Sequence, residues 1–178
     1  MDIENQFDLP LPPAAAWPIL MDVPRTAACF PGASHIEQVS ADQFKGRVTV
    51  KLGPLAMIFA GNLRLENRDD AAFSATVRAS WAETRGRGNA NTVTRFALQP
   101  HEGGTRVAMV SELQLAGQVA QYGRGVGMIS ALSAQLIATF AGNLRAGLQG
   151  GATAAAPAAG EISGLTLIAK ALGSRLKN

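Results

Sequence analysis

Few residues in this chain have the type and spacing that chemistry needs. Glu83 and Arg85 share the parity of Trp81, so in a regular strand they would point inward with it and line a cavity mouth. A strand that frays at Gly86-Arg87-Gly88 would leave both in solvent instead. His35 and His101 are far apart, and the single cysteine, Cys29, adds no metal-ligand spacing. A nucleophile would need Cys29 or a serine beside a histidine in a shaped pocket; nothing local supplies that, and Cys29 reads as a buried small hydrophobe. Gly123-Arg124-Gly125-Val126-Gly127 imitates a dinucleotide-binding turn, but no parallel strand follows it. No Asp or Glu occurs from Met128 to Gly160 to take ribose hydroxyls, so these glycines are read as close helix-to-sheet approach or a pocket mouth. The expectation is a protein with no catalytic residues and no metal site.

The elements that would position these residues follow from hydrophobic period. Ile3 to Leu9 alternate apolar and polar, as a half-buried or edge strand does, and Pro10, Pro12 and Pro13 end it. Two short helical pieces are expected over Ala14 to Asp22 and Pro24 to Cys29, broken at Pro24. From Ile36 to Leu115 the period is two. Phe44, Gly46, Val48, Val50 and Leu52 share one face, then Leu55, Met57, Phe59, Gly61, Leu63 and Leu65. Phe73, Ala75, Val77, Ala79 and Trp81 continue the pattern, followed by Thr92, Thr94, Phe96 and Leu98, and by Val107, Met109, Ser111, Leu113 and Leu115. Turns are expected at Gly53-Pro54, at Asn67 to Asp70 and at His101 to Gly104, and such short connections imply an antiparallel meander. After Gly117 the period becomes helical, with Tyr122, Val126, Ile129, Leu136, Phe140 and Leu144 on one stripe. The expected fold is α+β: a curved antiparallel sheet wrapped around a long C-terminal helix, with two short helices near the N-terminus. Small inward residues, Gly46, Gly61, Ala75 and Ala79, would leave room for a cavity or let the helix pack closely.

With 178 residues and 47% hydrophobic content, the chain suffices for one domain plus a tail. The 16 Lys+Arg against 13 Asp+Glu leave a net charge of only +3 without a run of like charge, which argues against nucleic acid as a partner. The lone cysteine permits no intramolecular disulfide and fits a reduced, cytoplasmic setting. The acidic start Met1-Asp2-Ile3-Glu4-Asn5 lacks the basic and apolar regions of a secretory signal. The uncharged stretch between Arg124 and Arg145 has the length of a membrane span. Gln135, Thr139 and Asn143, one helical turn apart, with Ser130, Ser133, Gly127 and Gly142, make it a two-faced helix instead.

Three regions result: a domain over residues 1–148, a Gly/Ala/Pro tether over 149–160, and an amphipathic segment over 161–178. In the last, Ile162, Leu165, Ile168, Leu172 and Leu176 are apolar, and Lys170, Arg175 and Lys177 are basic. That pattern fits a helix lying on a membrane surface; docking on a protein partner or on its own domain, and disorder, are the alternatives.

Cys29-Phe30-Pro31-Gly32, Phe44-x-Gly46, Lys51-x-Gly53-Pro54, Phe59-x-Gly61, Gly103-Gly104-Thr105 and Gln121-Tyr122-Gly123-Arg124 occur in that order. Together they resemble the carbon monoxide dehydrogenase G-subunit family of the START-like, SRPBCC helix-grip superfamily. The resemblance implies a helix-grip fold and a lipid- or quinone-binding accessory protein, with no covalent cofactor. It also implies service to a molybdenum hydroxylase such as carbon monoxide dehydrogenase, bringing that enzyme or its electrons to the cytoplasmic membrane. Tyr122 stands where the family more commonly has Phe. On this reading Met57, Phe59, Leu63, Trp81, Phe96 and Met109 line the cavity from the sheet, and Val126, Ile129, Leu136 and Phe140 line it from the helix. The head group would lie near Tyr122 or Arg124, with Glu83, Arg85 and Arg124 at the mouth. The expected function is non-catalytic ligand binding at the inner face of the cell membrane. A ligand-free assembly factor for the hydroxylase is the alternative, and a superfamily cyclase or hydrolase a lesser one.

Overall fold

The structure is a computed structural model that describes residues 1–52, 54–122 and 126–150. The expected tether and amphipathic segment therefore lie outside the described residues, apart from Gln149 and Gly150, as does Gly53 of the expected Gly53-Pro54 turn.

Strand β1 (Asp2–Leu9) buries Ile3, Phe7 and Leu9 and exposes the residues between them, apart from half-buried Asn5. Helices α1 (Pro13–Met21) and α2 (Val23–Cys29) follow. The break between them falls at Asp22, not at Pro24: Asp22 Oδ1 accepts from the Arg25 backbone N–H at 3.2 Å. Pro24 sits in the first turn of α2, where a missing N–H costs nothing. Strands β2 (Ala33–Gln38), β3 (Gln43–Leu52), β4 (Leu55–Asp69), β5 (Ser74–Glu83), β6 (Gly88–His101) and β7 (Gly104–Gly117) form an antiparallel meander. β1 pairs with β7, giving one seven-stranded sheet in the order β1-β7-β6-β5-β4-β3-β2.

Two boundaries differ from the sequence reading. β2 starts at Ala33, before Ile36, and its pairing slips between Ser34 and Glu37, where His35 has φ +53°. β4 runs past Asn67, whose φ of +48° accompanies a second slip between Glu66 and Asp69, so the turn is Asp70–Phe73. The His101–Gly104 hairpin is as expected, with positive φ at both Glu102 and Gly103.

The chain then enters α3 (Val119–Tyr122) and the long α4 (Val126–Gln149). From Gly127 to Gln149, α4 is long and apolar enough to cross a membrane. It is nevertheless tied to the fold. Asn5 Nδ2 donates to Ser133 Oγ at 2.9 Å, Asn143 Nδ2 to the Cys29 carbonyl at 2.9 Å, and Arg145 Nη1 to the Asp8 carbonyl at 2.8 Å. The Phe140 ring meets Phe7 edge-on at 5.6 Å and Phe30 at 6.1 Å.

Apolar side chains gather at the two ends of the sheet. The larger cluster joins Phe7, Leu9, Trp17, Leu65, Leu98, Val107 and Leu144 under α1 and α2, with Cys29 half-buried against it and its thiol pKa raised mainly by desolvation. The smaller joins Met57, Phe59 and Val119, with Leu55, Trp81, Leu115 and Tyr122 around them. Two inward glycines do not leave the empty room the sequence reading gave them. A Cβ on Gly46 would lie 2.6 Å from Ile36 Cδ1, and one on Gly61 would lie 2.0 Å from the Ser80 carbonyl oxygen and 2.8 Å from the Trp81 ring. Their missing side chains admit Ile36 and Trp81 from neighbouring strands.

Candidate ligand cavity and its mouth

The Asn5–Ser133 and Phe7–Phe140 contacts fix which face of the sheet looks at α4. On that face, between the two clusters, Leu63, Thr92, Thr94, Ser111 and Leu113 are only half-buried. On α4, Leu132, Ser133 and Leu136 are half-buried too, whereas Ile129 is buried. Side chains that face a covering helix yet keep contact with solvent mean that the helix does not seal against the sheet. At these positions the sheet and α4 are less tightly packed than in the two apolar clusters on either side. An open groove of about 910 Å³ is bordered mainly by residues of outward parity, Glu4, Gln6, Thr76, Arg95 and Val110 among them, and also by the cross-strand row Asn5, Met109, Phe96 and Ala75, whose parity is inward.

The expected lining divides into three groups. Met57, Phe59, Trp81 and Tyr122 share the smaller cluster. Phe96, Met109 and Phe140 pack instead on the larger one, where Phe96 lies 6.1 Å from the Trp17 ring. Leu63, Ile129 and Leu136 belong to neither cluster. Arg124 and the Val126 side chain lie outside the described residues.

At the mouth, β5 remains regular through Glu83 and then ends. Glu83 points inward, opposite Phe59, and its side chain is 1% exposed. Arg85, expected to join it, is in the following turn and exposed, because Gly86 at φ +75° reverses the chain there. Its backbone N–H nonetheless donates to Glu83 Oε2 at 2.8 Å, and that of Arg87 does so at 3.2 Å. Arg87 Nη2 donates to Glu83 Oε1 at 2.7 Å and to the Ala56 carbonyl at 3.3 Å. Arg87 is the residue the sequence reading missed; a Glu and an Arg four apart around Gly86 were the available signal. Arg87 Nε is buried and has no hydrogen-bond partner among the described residues.

The hydrogen bond from Arg87 is the main reason that the Glu83 carboxyl is held down at about 2; desolvation opposes it, and the turn amides and the Arg87 charge assist. Arg87 is raised in turn, chiefly by the same bond, with Tyr122 a smaller contributor. A depressed carboxyl contributes stability that is fully present above its ordinary value of 4.5 and is lost as pH falls from there through about 2. The urea midpoint of the wild type is therefore expected to decline across that window, and Glu83→Gln to flatten that part of the decline. An identical acid limb in both proteins would contradict the assignment.

The histidines take no part in this site. His35 is exposed on β2, and His101 Nε2 lies 2.6 Å from Arg106 Nη2, in a surface group where Arg106 grips Asp8. Among the described residues, no group of three or more His, Cys, Asp or Glu side chains could hold a metal ion.

The sequence model of one protein family, the carbon monoxide dehydrogenase G subunit (CoxG), matches residues 6–149, from within β1 to the end of α4. The chain belongs to the CoxG family. What this CoxG-family chain shares with its family is thus the whole grip. No curated protein sequence matches it. Among solved structures, it is similar to a conserved protein from Geobacillus kaustophilus, with TM-score 0.73 and 16% identity over 84% of this chain and 95% of that one. It is also similar to the Zhui aromatase/cyclase from a Streptomyces species, with TM-score 0.59 and 14% identity over 84% and 93%. A Thermus thermophilus protein follows with TM-score 0.58 and 12% identity over 82% and 98%. At these identities the likeness is one of fold, and it establishes the helix-grip architecture that the CoxG motifs implied.

Proposed function

We propose that this CoxG-family protein carries an apolar ligand, a lipid or respiratory quinone, in the space between sheet and α4, and performs no reaction on it. The observation behind this reading is the band of half-buried inward side chains, Leu63, Thr92, Leu113 and Leu136 among them, between the two apolar clusters. Each apolar ligand surface moved from water into such a space gains roughly 25 cal/mol per Å². Access lies at the smaller cluster, beside exposed Arg85 and Pro54 and close to the start of α4, where Met128 is 48% exposed.

The charged groups support carriage over catalysis. Glu83 is the buried carboxyl group among the described residues, and both of its oxygens are engaged by Arg87 and by turn amides. A carboxyl held at about 2 is ionised near neutrality and is a poor proton donor or acceptor there.

Family membership supports service to a molybdenum hydroxylase such as carbon monoxide dehydrogenase. The composition of residues 161–178 supports a hold on the inner face of the cytoplasmic membrane, within reach of a quinone pool. Flotation of the full chain with anionic vesicles containing a respiratory quinone, followed by solvent extraction of the recovered protein, tests both steps. The protein is expected to float and to carry quinone or lipid. Failure to float removes the membrane role, and protein that floats with an empty cavity removes the carrier role.

A further inference from the structure

We propose that the outer face of α4 is the docking surface for residues 161–178 of the same chain, which lie back along it, antiparallel, when no membrane is present. This surface is separate from the interior between sheet and helix, so it stands or falls without the carrier reading.

The composition of the face is the first argument. Opposite the side that buries Ile129 and Leu144, α4 exposes Gly127, Ala131, Ala134, Ala138 and Ala146, with half-buried Gly142 in the same stripe. An exposed helix face ordinarily carries charged side chains. None occurs on α4 before Arg145, and the Arg145 guanidinium is drawn to the Asp8 carbonyl at 2.8 Å. At the rim of the stripe, the Thr139 hydroxyl donates to the Gln135 carbonyl at 2.9 Å, so its hydrogen bond is made within the helix.

The glycines are the second argument. Glycine is among the poorest residues for a helix interior. In the sheet, Gly46 and Gly61 admit side chains of neighbouring strands, but a Cβ on Gly127 or Gly142 would meet nothing within 4 Å among the described residues. Packing among the described residues therefore requires neither glycine. Ala134, Ala138, Gly142 and Ala146, at four-residue spacing, form a shallow groove into which the side chains of another helix can sink.

Length and side-chain size select the occupant. From Gly150 the chain continues to Asn178. Residues 151–160, as a Gly/Ala-rich coil, span roughly 17 Å on average, enough to turn the chain back across the about 8–10 Å between packed helix axes. Residues 161–178 as a helix measure about 27 Å, against about 28 Å from Gly127 to Ala146 at the same rise. Ile162, Leu165, Ile168, Leu172 and Leu176 supply the large side chains that the stripe lacks. A second copy's α4 would instead set alanine and glycine against alanine and glycine, burying little apolar surface. The tether also holds the segment at an effective concentration on the order of millimolar. Docked in this way, the segment hides its aliphatic side from water, and a bilayer competes with α4 for that side.

The test is hydrogen exchange of the full chain in vesicle-free buffer, read by mass spectrometry over peptides from residues 161–178. In the wild type these peptides are expected to exchange at least about tenfold more slowly than an unstructured chain, at a rate independent of protein concentration. Ala138→Lys and Ala134→Lys each place a cation, of the same sign as Lys170, Arg175 and Lys177, on the stripe at an exposed position where lysine suits a helix. Each variant is expected to keep the wild-type circular dichroism and to lose that protection; should one fail to fold, the other decides. Exchange at the unstructured rate in the wild type overturns the proposal. Protection that appears only when anionic vesicles are added also overturns it and leaves the membrane reading standing. Protection that rises with protein concentration alongside a dimeric mass in light scattering gives the segment to a second copy, and protection unchanged in the lysine variants places it elsewhere; either result overturns the proposal as well.

Discussion

Replacing Trp17 by alanine is expected to cost roughly 3–5 kcal/mol, the range for emptying a large aromatic site in a core. Trp17 is 5% exposed in α1 and packs on Phe73 at 5.9 Å and Phe96 at 6.1 Å. Its Nε1–H also donates to Asp70 Oδ1 at 2.7 Å, across the turn that joins β4 to β5. One side chain thus fastens the N-terminal helices to the sheet's central strands. Trp17→Phe, which keeps most of the packing and loses that bond, is expected to cost about 1 kcal/mol from the bond, plus a smaller packing loss. Urea unfolding of both variants separates these contributions, and a loss under about 1 kcal/mol for Trp17→Ala would place the closed end of the core elsewhere.

The second large effect is expected on binding with little change in stability. Thr92 faces α4 from the middle of β6, opposite Ala79 on one side and Leu113 on the other, and is half-buried. In a packed core, Thr92→Phe would force neighbours aside at a cost of about 1–3 kcal/mol. Entering an accessible space, the ring fills volume that a ligand would otherwise occupy. Stability is then expected to stay within about 1 kcal/mol of the wild type while quinone uptake falls more than about tenfold. The opposite pairing, a destabilised protein with normal uptake, would show that the region beside Thr92 is packed core and that the ligand is held elsewhere.

How far the sequence carried these conclusions depends on the kind of contact. Alternation alone sorted Phe44, Phe59, Trp81, Phe96 and Met109 onto one face, because a strand has only two faces and one of them is covered. The helix stripe was legible for the same reason. What could not be read was how inward residues share the interior along the strands. Phe96 and Met109 have the same parity as Trp81, yet they belong to the other end of the sheet, a distinction set by register and not by period. Gly46 and Gly61 announced missing volume, but only the cross-strand geometry reveals that Ile36 and Trp81 use it. The mouth was misread by two residues: parity carried Arg85 inward with Glu83, whereas the turn at Gly86 sends it out and returns Arg87 to the carboxylate. Local turn conformation, more than composition, decides which arginine matters.

The ties on α4 are unevenly distributed along its length. Ile137, Phe140, Ala141, Leu144 and Leu148 pack on the larger cluster, and Asn143 and Arg145 bond to α2 and β1, while Gly127, Met128 and Ala131 are exposed. The helix is in effect a cantilever, clamped at its far end and lightly held near the mouth by the Asn5–Ser133 bond. Within α4, amide protons of residues 127 to 132 are accordingly expected to exchange with smaller opening free energies than those of residues 137 to 148. A bulky guest could pass by deflection of that free end, with the clamped half and the sheet undisturbed.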